Sequence, residues 1–239
     1  MDAQDRRPRI SAPPAHVWVV IAAYNEAARL DRVLRELLAA GVDLGVVVVD
    51  DGSTDATRRV AAGHPIWVLH HPVNCGQGAA LRTGLSFALD QGADVIVTFD
   101  GDGQHDASDI PRLIEPILDG RADAALGSRF LGRAIGMHAS RRLLLCGARM
   151  FTRIFSSVNV TDPHNGLRAL SRRAADQICI TQDGMAHASE IVEQLRVCRL
   201  RWCEVPVTVR YSEETLAKGQ SGWQAVRIVS HLLVARVIR

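Results

Sequence analysis

The sequence predicts an α/β fold in which helices flank a mostly parallel sheet. Three observations predict it: short apolar runs rich in β-branched residues alternate with amphipathic segments, 47% of the 239 residues are hydrophobic, and no internal repeat is present. Repeated strand–helix alternation is typical of a parallel sheet with helices on both faces. The regularity ends near residue 132, so a less regular C-terminal part is expected.

The first strand is predicted at residues 17–23 from its length and β-branched content, and the helix at 26–40 from apolar residues on one face. A second helix at 55–62 follows Ser53 and Thr54, which are good N-capping residues. The same patterns predict strands at 46–49, 66–70, 94–99 and 122–127, and helices at about 78–90 and at 108–118.

The second half is predicted to hold a basic helix at 140–155, a turn-rich stretch at 162–170 and a helix at 185–196. A strand at 202–209 and a helix at 223–239 complete it. We expect a single domain with a flexible N-terminal arm (1–16), one half at 17–132 and another at 133–239.

The charge is distributed unevenly along the chain. The formal net charge is only +2, which argues against a strongly basic nucleic-acid binder. Residues 1–120, however, hold 10 Arg and 17 acidic residues, whereas residues 121–239 hold 18 Lys+Arg and 9 acidic residues. This asymmetry indicates that one half handles a cation and the other an anion or an anionic surface.

The five cysteines are odd in number and form no CxxC pair, which indicates reduced thiols in a cytoplasmic protein. The N-terminus lacks the apolar region of a signal peptide, and no run approaches the roughly 20 apolar residues of a membrane span. The helices predicted at 140–155 and 223–239 either lie on an anionic leaflet or pack on the core or a sister subunit. We expect a protein peripheral to the inner face of the membrane.

The segment from Phe99 to His105, FDGDGQH, carries the sharpest chemical signal. Asp100 and Asp102 follow a predicted buried strand, and glycines at 101 and 103 free the backbone so that both carboxylates can converge. Converging carboxylates repel unless a cation lies between them, and Mg²⁺ or Mn²⁺ prefers oxygen ligands. The pattern therefore predicts a divalent metal site.

Two further strand ends carry candidate binding residues. Asp51 follows the second strand and is placed to accept a hydrogen bond from a base or a ribose, whereas Ser53, Thr54 and Asp55 suit helix capping alone. The Gly76-Gln77-Gly78 segment opens a helix and offers room for a phosphate. It is not a Rossmann fingerprint, because its glycine spacing differs and it does not follow the first strand.

Six segments occur in order: VVIAAYNEAARL, VVVVDDGSTD, NCGQGAALRTGL, VTFDGDGQH, GSRFL and TDPHNGLRAL. Together they resemble the family 2 glycosyltransferases of the GT-A fold, and most closely the polyprenyl-phosphate sugar transferases of the dolichol-phosphate mannosyltransferase-like group. The resemblance covers about residues 17–221. In place of the family's usual R-x-x-G-x-S-K run, residues 211–221 form a longer charged stretch that resembles a bacterial polysaccharide-cluster subgroup.

The resemblance implies a role for each matching position, with donor binding in the first half and acceptor binding in the second. It implies metal binding by Asp100, Asp102 and Gln104, and catalytic roles for Asp100, Asp102, Arg129 and Asp162. The residues implied in nucleotide binding are Ala23, Tyr24, Asn25, Glu26, Asp51, Gly76 and Asp100. Those implied in acceptor or phosphate binding are Arg129, Arg141 or Arg142 (with Arg142 preferred), Arg168 and Arg210, and the charged stretch at 211–221 adds Lys218 as a candidate for phosphate contact.

The resemblance also implies inverting transfer from a UDP- or GDP-linked sugar, without a covalent intermediate, aided by Mg²⁺ or Mn²⁺. A polyprenyl phosphate acceptor is already anionic and needs no base, only cations to receive it. A saccharide hydroxyl acceptor would need a base, for which Asp162 is the candidate. A non-catalytic nucleotide-sugar-binding protein is the third alternative. No nucleic acid partner is expected, and a homo-oligomer is left open.

Overall fold

The computed structural model describes residues 15–40, 43–136 and 160–211. Seven strands form one sheet in the order β3-β2-β1-β4-β6-β5-β7. The strands are β1 (Val17–Ala23), β2 (Leu44–Asp50), β3 (Trp67–His70), β4 (Val95–Asp100), β5 (Ala124–Ile135), β6 (Arg168–Ser171) and β7 (Trp202–Arg210). The helices are α1 (Ala27–Leu38), α2 (Thr57–Ala61), α3 (Gln77–Asp90), α4 (Ile110–Leu118), α5 (Arg172–Gln177) and α6 (His187–Val197), and a 3₁₀ turn spans Ala107–Asp109.

The sheet is parallel apart from β6, which runs antiparallel to both β4 and β5. The carboxyl ends of the other six strands therefore share one edge, and the start of β6 lies at that same edge. In α/β sheets, ligands bind beyond the carboxyl ends of the strands. We therefore expect the candidate site at this edge of the sheet.

Two apolar layers enclose the sheet, as the alternation of side chains along β1 shows. Val19 and Ile21 face a layer that includes buried residues of α1 and α4. Val20 faces the opposite layer, which includes buried residues of α3 and α6. Fully burying one of these aliphatic side chains stabilises the fold by about 1.5–3 kcal/mol relative to leaving it exposed. The mostly parallel sheet flanked by helices that the sequence predicts is confirmed.

The structure differs from the sequence prediction mainly in the second half. The fifth strand continues beyond residue 127 to Ile135. Its pairing with β7 shifts register between Ser128 and Arg133. The stretch predicted as turn-rich, 162–170, contains the start of β6. The expected boundary at residue 132 falls inside β5, and the sheet includes strands from both halves. The division into halves stays a prediction.

Several predicted segments lie outside the described residues. These are most of the N-terminal arm, the basic helix at 140–155 and the C-terminal helix at 223–239. His16, the last residue of the predicted arm, is described, and its N–H donates to Asp94 Oδ2 at 2.9 Å. In the three described ranges, no helix combines the length and apolar content that a membrane span requires.

Candidate active site

The loop after β4 brings Asp100 and Asp102 together at the carboxyl edge of the sheet. Gly103 has a φ of 74°, a left-handed conformation that a glycine adopts without strain. Burial and the neighbouring charge of Asp100 raise the pKa of Asp102 to about 6. Burial alone would also raise the pKa of Asp100, but the hydrogen bond and charge of His105 lower it. The two carboxylates therefore act on each other electrostatically.

Three neighbours fix the Asp100 carboxylate. His105 Nε2 lies 2.9 Å from Oδ2, and Gln77 Nε2 donates to Oδ1 at 3.1 Å. Gly166 packs directly against the carboxylate, because a Cβ atom there would lie 2.2 Å from Oδ2 and 2.6 Å from Oδ1. Residues from the loop after β4, the start of α3 and the loop before β6 thus meet at this side chain.

Gln104 contacts Asp102 and also links the loop to β7. Its Nε2 donates to Asp102 Oδ2 at 2.7 Å and its backbone N–H to Oδ1 at 3.0 Å. Its carbonyl accepts the Arg210 N–H at 2.8 Å, and Arg210 Nη2 donates to Asp106 Oδ2 at 2.6 Å. The implied phosphate ligand Arg210 therefore lies beside the acidic loop, which is the segment from Asp100 to Asp106.

The chemistry of this donor set fits a hard divalent cation. Two interacting carboxylates and the Gln104 amide supply oxygen atoms, which Mg²⁺ and Mn²⁺ prefer. Burial and the charge of Asp100 both raise the pKa of Asp102, and a bound cation would offset both by stabilising the ionised carboxylate. Metal binding by Asp100, Asp102 and Gln104 stays a prediction, and the arrangement is compatible with it.

Asp51, implied in nucleotide binding, is buried and already holds the chain before α3. Its Oδ1 accepts the Cys75 N–H at 3.0 Å and contacts His71 Nδ1 at 2.7 Å, while its Oδ2 accepts the Gly76 N–H at 2.7 Å. A carboxylate with these partners shapes the loop around residues 74–76. Its contact with a base or ribose stays a prediction.

The Tyr24-Asn25-Glu26 segment, which follows buried Ala23, docks onto the loop after β2. Asn25 has a φ of 54°, and its Oδ1 accepts the Thr54 N–H at 2.9 Å. The Glu26 N–H donates to Thr57 Oγ1 at 2.8 Å, and the Glu26 carboxylate pairs with Arg29. Tyr24 is 46% exposed at the edge of the sheet. This segment therefore joins two strand ends, and its nucleotide contacts stay a prediction.

The start of α3 is packed against another part of the chain. The Gly78 N–H donates to Asp183 O at 2.7 Å, and a Cβ atom on Gly78 would lie 2.0 Å from Gln182 O. A Cβ atom on Gly76 would lie 2.3 Å from Asp183 O. These glycines allow the backbone of residues 182–183 to approach, whereas the sequence suggested room for a phosphate. Nucleotide binding by Gly76 stays a prediction.

Arg129 and Asp162, both implied in catalysis, form a buried ion pair. Arg129 Nε and backbone N donate to Asp162 Oδ2 at 2.6 and 3.1 Å, and Asn165 Nδ2 donates to the same oxygen at 3.1 Å. Arg129 also donates to the hydroxyl of Tyr211. Burial alone would lower the pKa of Arg129, but the charge of Asp162 raises it above its ordinary value.

Arg168 is buried, and its guanidinium holds backbone carbonyls. It donates to Asn165 O at 3.0 Å, Pro163 O at 2.8 Å and Ala188 O at 3.2 Å, which ties the loop before β6 to α6. Burial lowers the pKa of Arg168 to about 10. Burial followed by the charge of Arg168 lowers the pKa of His164. Phosphate binding by Arg168 stays a prediction; Arg142 and Lys218 lie outside the described residues.

The sequence did not predict that Gln77, His105 and Gly166 contact Asp100, although all three do. His105 belongs to the FDGDGQH segment, and an imidazole three residues after Asp102 was a usable signal. Gln77 and Gly166 lie 23 and 66 residues from Asp100 in the sequence, and only the tertiary structure brings them to it.

Comparisons with known proteins identify the family of the chain. The family model described as Glycosyl transferase family 2 matches residues 18–179. An undecaprenyl-phosphate mannosyltransferase of Micrococcus luteus is 32% identical over 235 residues, covering 92% of this chain and 95% of that protein. A UDP-N-acetylglucosamine–dolichyl-phosphate N-acetylglucosaminyltransferase of Methanococcus voltae is 28% identical over 242 residues, covering 92% and 96%.

A solved structure supports the fold. Glucosyl-3-phosphoglycerate synthase from Mycobacterium tuberculosis, in complex with Mn²⁺, UDP and glucosyl-3-phosphoglycerate, has a TM-score of 0.68 at 21% identity, covering 93% of this chain and 80% of that one. The predicted GT-A fold is confirmed, as are the predicted glycosyltransferase activity and the resemblance to polyprenyl-phosphate sugar transferases. The chain belongs to the family 2 glycosyltransferases.

Proposed function

We propose that this chain moves a sugar, with inversion, from a UDP- or GDP-linked donor to a polyprenyl phosphate, in a reaction that depends on a divalent metal. The observation that carries the proposal is the Asp100–Asp102 pair at the carboxyl edge of the sheet. The polyprenyl-phosphate relatives, which match nearly the whole chain, support the acceptor class.

Breaking the sugar–phosphate bond leaves negative charge on the departing nucleotide diphosphate. A bound Mg²⁺ or Mn²⁺ would neutralise that charge as a Lewis acid. Asp100 and Asp102 would hold this ion, with the Gln104 amide beside them. The half-exposed Arg210, next to Asp106 in the same loop, is placed to meet a phosphate.

The geometry around Asp162 supports a phosphate acceptor over a saccharide hydroxyl. A hydroxyl acceptor needs a base that takes its proton. Asp162 Oδ2 already accepts hydrogen bonds from Arg129 and Asn165, and the side chain is buried. An anionic phosphate needs no base, so this arrangement presents no obstacle to it. We propose that the reaction takes place at the cytoplasmic face of the membrane, where such a lipid headgroup is reached.

The test supplies radiolabelled nucleotide sugars with Mn²⁺ and offers two acceptors separately: polyprenyl phosphate in detergent and a panel of free saccharides. We expect a lipid-extractable, mild-acid-labile product from the first acceptor, and its loss when EDTA removes the metal. A product formed only on saccharides would favour the hydroxyl-acceptor alternative. Undiminished transfer in EDTA would contradict metal dependence.

A further inference from the structure

His105 is a buried ring within an acidic loop. It is 4% exposed, and its ring packs edge-on against Phe99 with the centroids 5.5 Å apart. Its backbone forms an antiparallel bridge with Val209 of β7. Phe99 of β4 therefore packs against the ring while the bridge to β7 fixes the backbone, so the buried ring has little freedom to rotate.

The hydrogen bonds of His105 show how the ring is used. Nε2 lies 2.9 Å from Asp100 Oδ2. An ionised carboxylate only accepts hydrogen bonds, so Nε2 carries the proton and donates it. Nδ1 is buried and has no hydrogen-bond partner within the described ranges. Burying a polar atom without a partner costs free energy, so packing alone gives no reason for an imidazole at this position.

The two oxygens of Asp100 have different surroundings. Oδ2 contacts the buried and immobilised His105, whereas Oδ1 accepts from the half-buried amide of Gln77 at the start of α3. Gly166 closes one side of the carboxylate. A flexible, partly exposed amide is easily displaced, and a buried ring between two strands is not. A cation would therefore replace Gln77 at Oδ1 and leave His105 at Oδ2.

We propose that His105 is a positioning residue: its Nε2–H fixes Oδ2 of Asp100 so that Oδ1 is the oxygen presented to the divalent cation. This inference rests on the proposed metal-dependent function and adds a residue outside the implied ligand set of Asp100, Asp102 and Gln104. Partners that orient metal ligands in this way typically change metal affinity by about 10–100-fold when they are removed.

Three substitutions separate positioning from packing. His105→Leu keeps an apolar side chain against Phe99 but removes the donor. His105→Gln carries an amide N–H at about the reach of Nε2, whereas the shorter His105→Asn reaches only about as far as Nδ1. If packing were the whole role, Gln and Asn would behave alike. If the donor at the Nε2 position matters, His105→Gln should retain the Mn²⁺ affinity that His105→Leu and His105→Asn lose.

The experiment measures Mn²⁺ affinity of the full chain without nucleotide, by calorimetry or by the free-Mn²⁺ electron paramagnetic resonance signal. We expect the Mn²⁺ Kd to rise about 10–100-fold in His105→Leu and His105→Asn, and by no more than about threefold in His105→Gln. In a transfer assay, the Mn²⁺ concentration for half-maximal rate should rise in parallel, while the rate at saturating Mn²⁺ largely recovers.

His64→Asn is the matched control. His64 Nε2 contacts Asp31 Oδ1 of α1 at 3.1 Å, which is a His–carboxylate pair that includes no residue of the acidic loop. Its loss should leave Mn²⁺ affinity unchanged. Asp102→Asn is the control for the metal site itself and should abolish binding.

The outcomes distinguish the two proposals. Wild-type affinity in a folded His105→Leu variant, with binding lost in Asp102→Asn, would overturn the role of His105 and leave the proposed function standing. Absence of Mn²⁺ binding in the wild type would overturn both. If His105→Leu fails to fold, the other two variants decide: tighter binding by Gln than by Asn supports positioning, and equal binding overturns it.

Discussion

Two acidic pairs lie at the same edge of the sheet, Asp50–Asp51 after β2 and Asp100–Asp102 after β4, and their hydrogen-bond partners differ in kind. The Asp51 carboxylate accepts from two backbone N–H groups and contacts a histidine; the Asp50 carboxylate has one backbone N–H and a histidine as partners. Among the described residues, the Asp100 carboxylate accepts only from side chains, whereas Asp102 accepts from the side-chain amide and from the backbone N–H of Gln104.

This difference separates a carboxylate that stabilises a loop from carboxylates that can bind a ligand. Backbone donors are fixed by the fold, so the Asp51 carboxylate, which accepts from two of them and also contacts His71, stabilises a loop and has little capacity left for a ligand. Side-chain amides such as Gln77 rotate away at low cost, which leaves oxygen atoms for a cation. Adjacent acidic residues in a sequence are therefore not equivalent candidates, even when both follow a buried strand.

The largest effect is expected from Asp102→Asn. The change removes one of the two charges that would hold the cation, so transfer should fall at least about a hundredfold. Stability should be retained, because a neutral amide also ends the repulsion with Asp100. Initial rates and thermal unfolding measure the two effects. Asp119→Asn, an exposed acid outside the loop, is the control. Full activity in Asp102→Asn would show that the metal is held elsewhere.

Asp51→Ala should affect stability strongly. It removes the acceptor of the part-buried N–H groups of Cys75 and Gly76 and the partner that His71 contacts, and an unsatisfied buried group costs about 1–3 kcal/mol. We expect the free energy of unfolding in urea to fall by about 3 kcal/mol. Unchanged stability with a raised KM for the nucleotide sugar would contradict this expectation. It would instead identify Asp51 as a direct nucleotide ligand.

Gly78→Ala should have a moderate effect. The added Cβ atom would lie 2.0 Å from Gln182 O, a backbone atom that moves only if its segment moves. Overpacking of this kind costs about 1–3 kcal/mol. Thermal unfolding and hydrogen exchange at residues 181–184 measure the change, and Ser86→Ala, at an exposed position of α3, is the control. Unaltered exchange would show that the two segments do not pack as described.

The smallest effect is expected from Asp123→Asn. Unlike the two acidic pairs, the Asp123 carboxylate forms an ion pair with Arg201. Hydrogen bonds from Arg201 lower the pKa of Asp123 below its ordinary value of 3.8. The resulting stabilisation is present above that value and is lost as the pH falls through the lowered one. The variant should therefore melt below the wild type at neutral pH. The difference in melting temperature between variant and wild type should narrow as the pH falls below 3.8. A difference that widens in acid would contradict this expectation.

The strands β1, β2 and β4 were predictable because parallel strands covered on both faces are continuous apolar runs. β6 has only four residues and begins with Arg168, so it lacks that pattern. The continuation of β5 passes Gly132 and Arg133 at an irregular pairing, where local sequence does not indicate a strand. Asp100 and Asp102 were identified from composition and position. Their partner Gln77 was not, because its contact depends on how α3 packs.

The position of β6 also determines when during synthesis the candidate site can form. β6 lies between β4 and β5, pairing Thr98 with Arg168 and Val95 with Ser171. A nascent chain that has not yet reached this segment contains both Asp100 and Asp102, but the edge of β4 is open and Gly166 is not yet against the carboxylate. Val209, which holds His105, is made later still. Chains truncated before these segments therefore contain the acidic residues without the surroundings that orient them, and the site becomes complete only once β7 has been made.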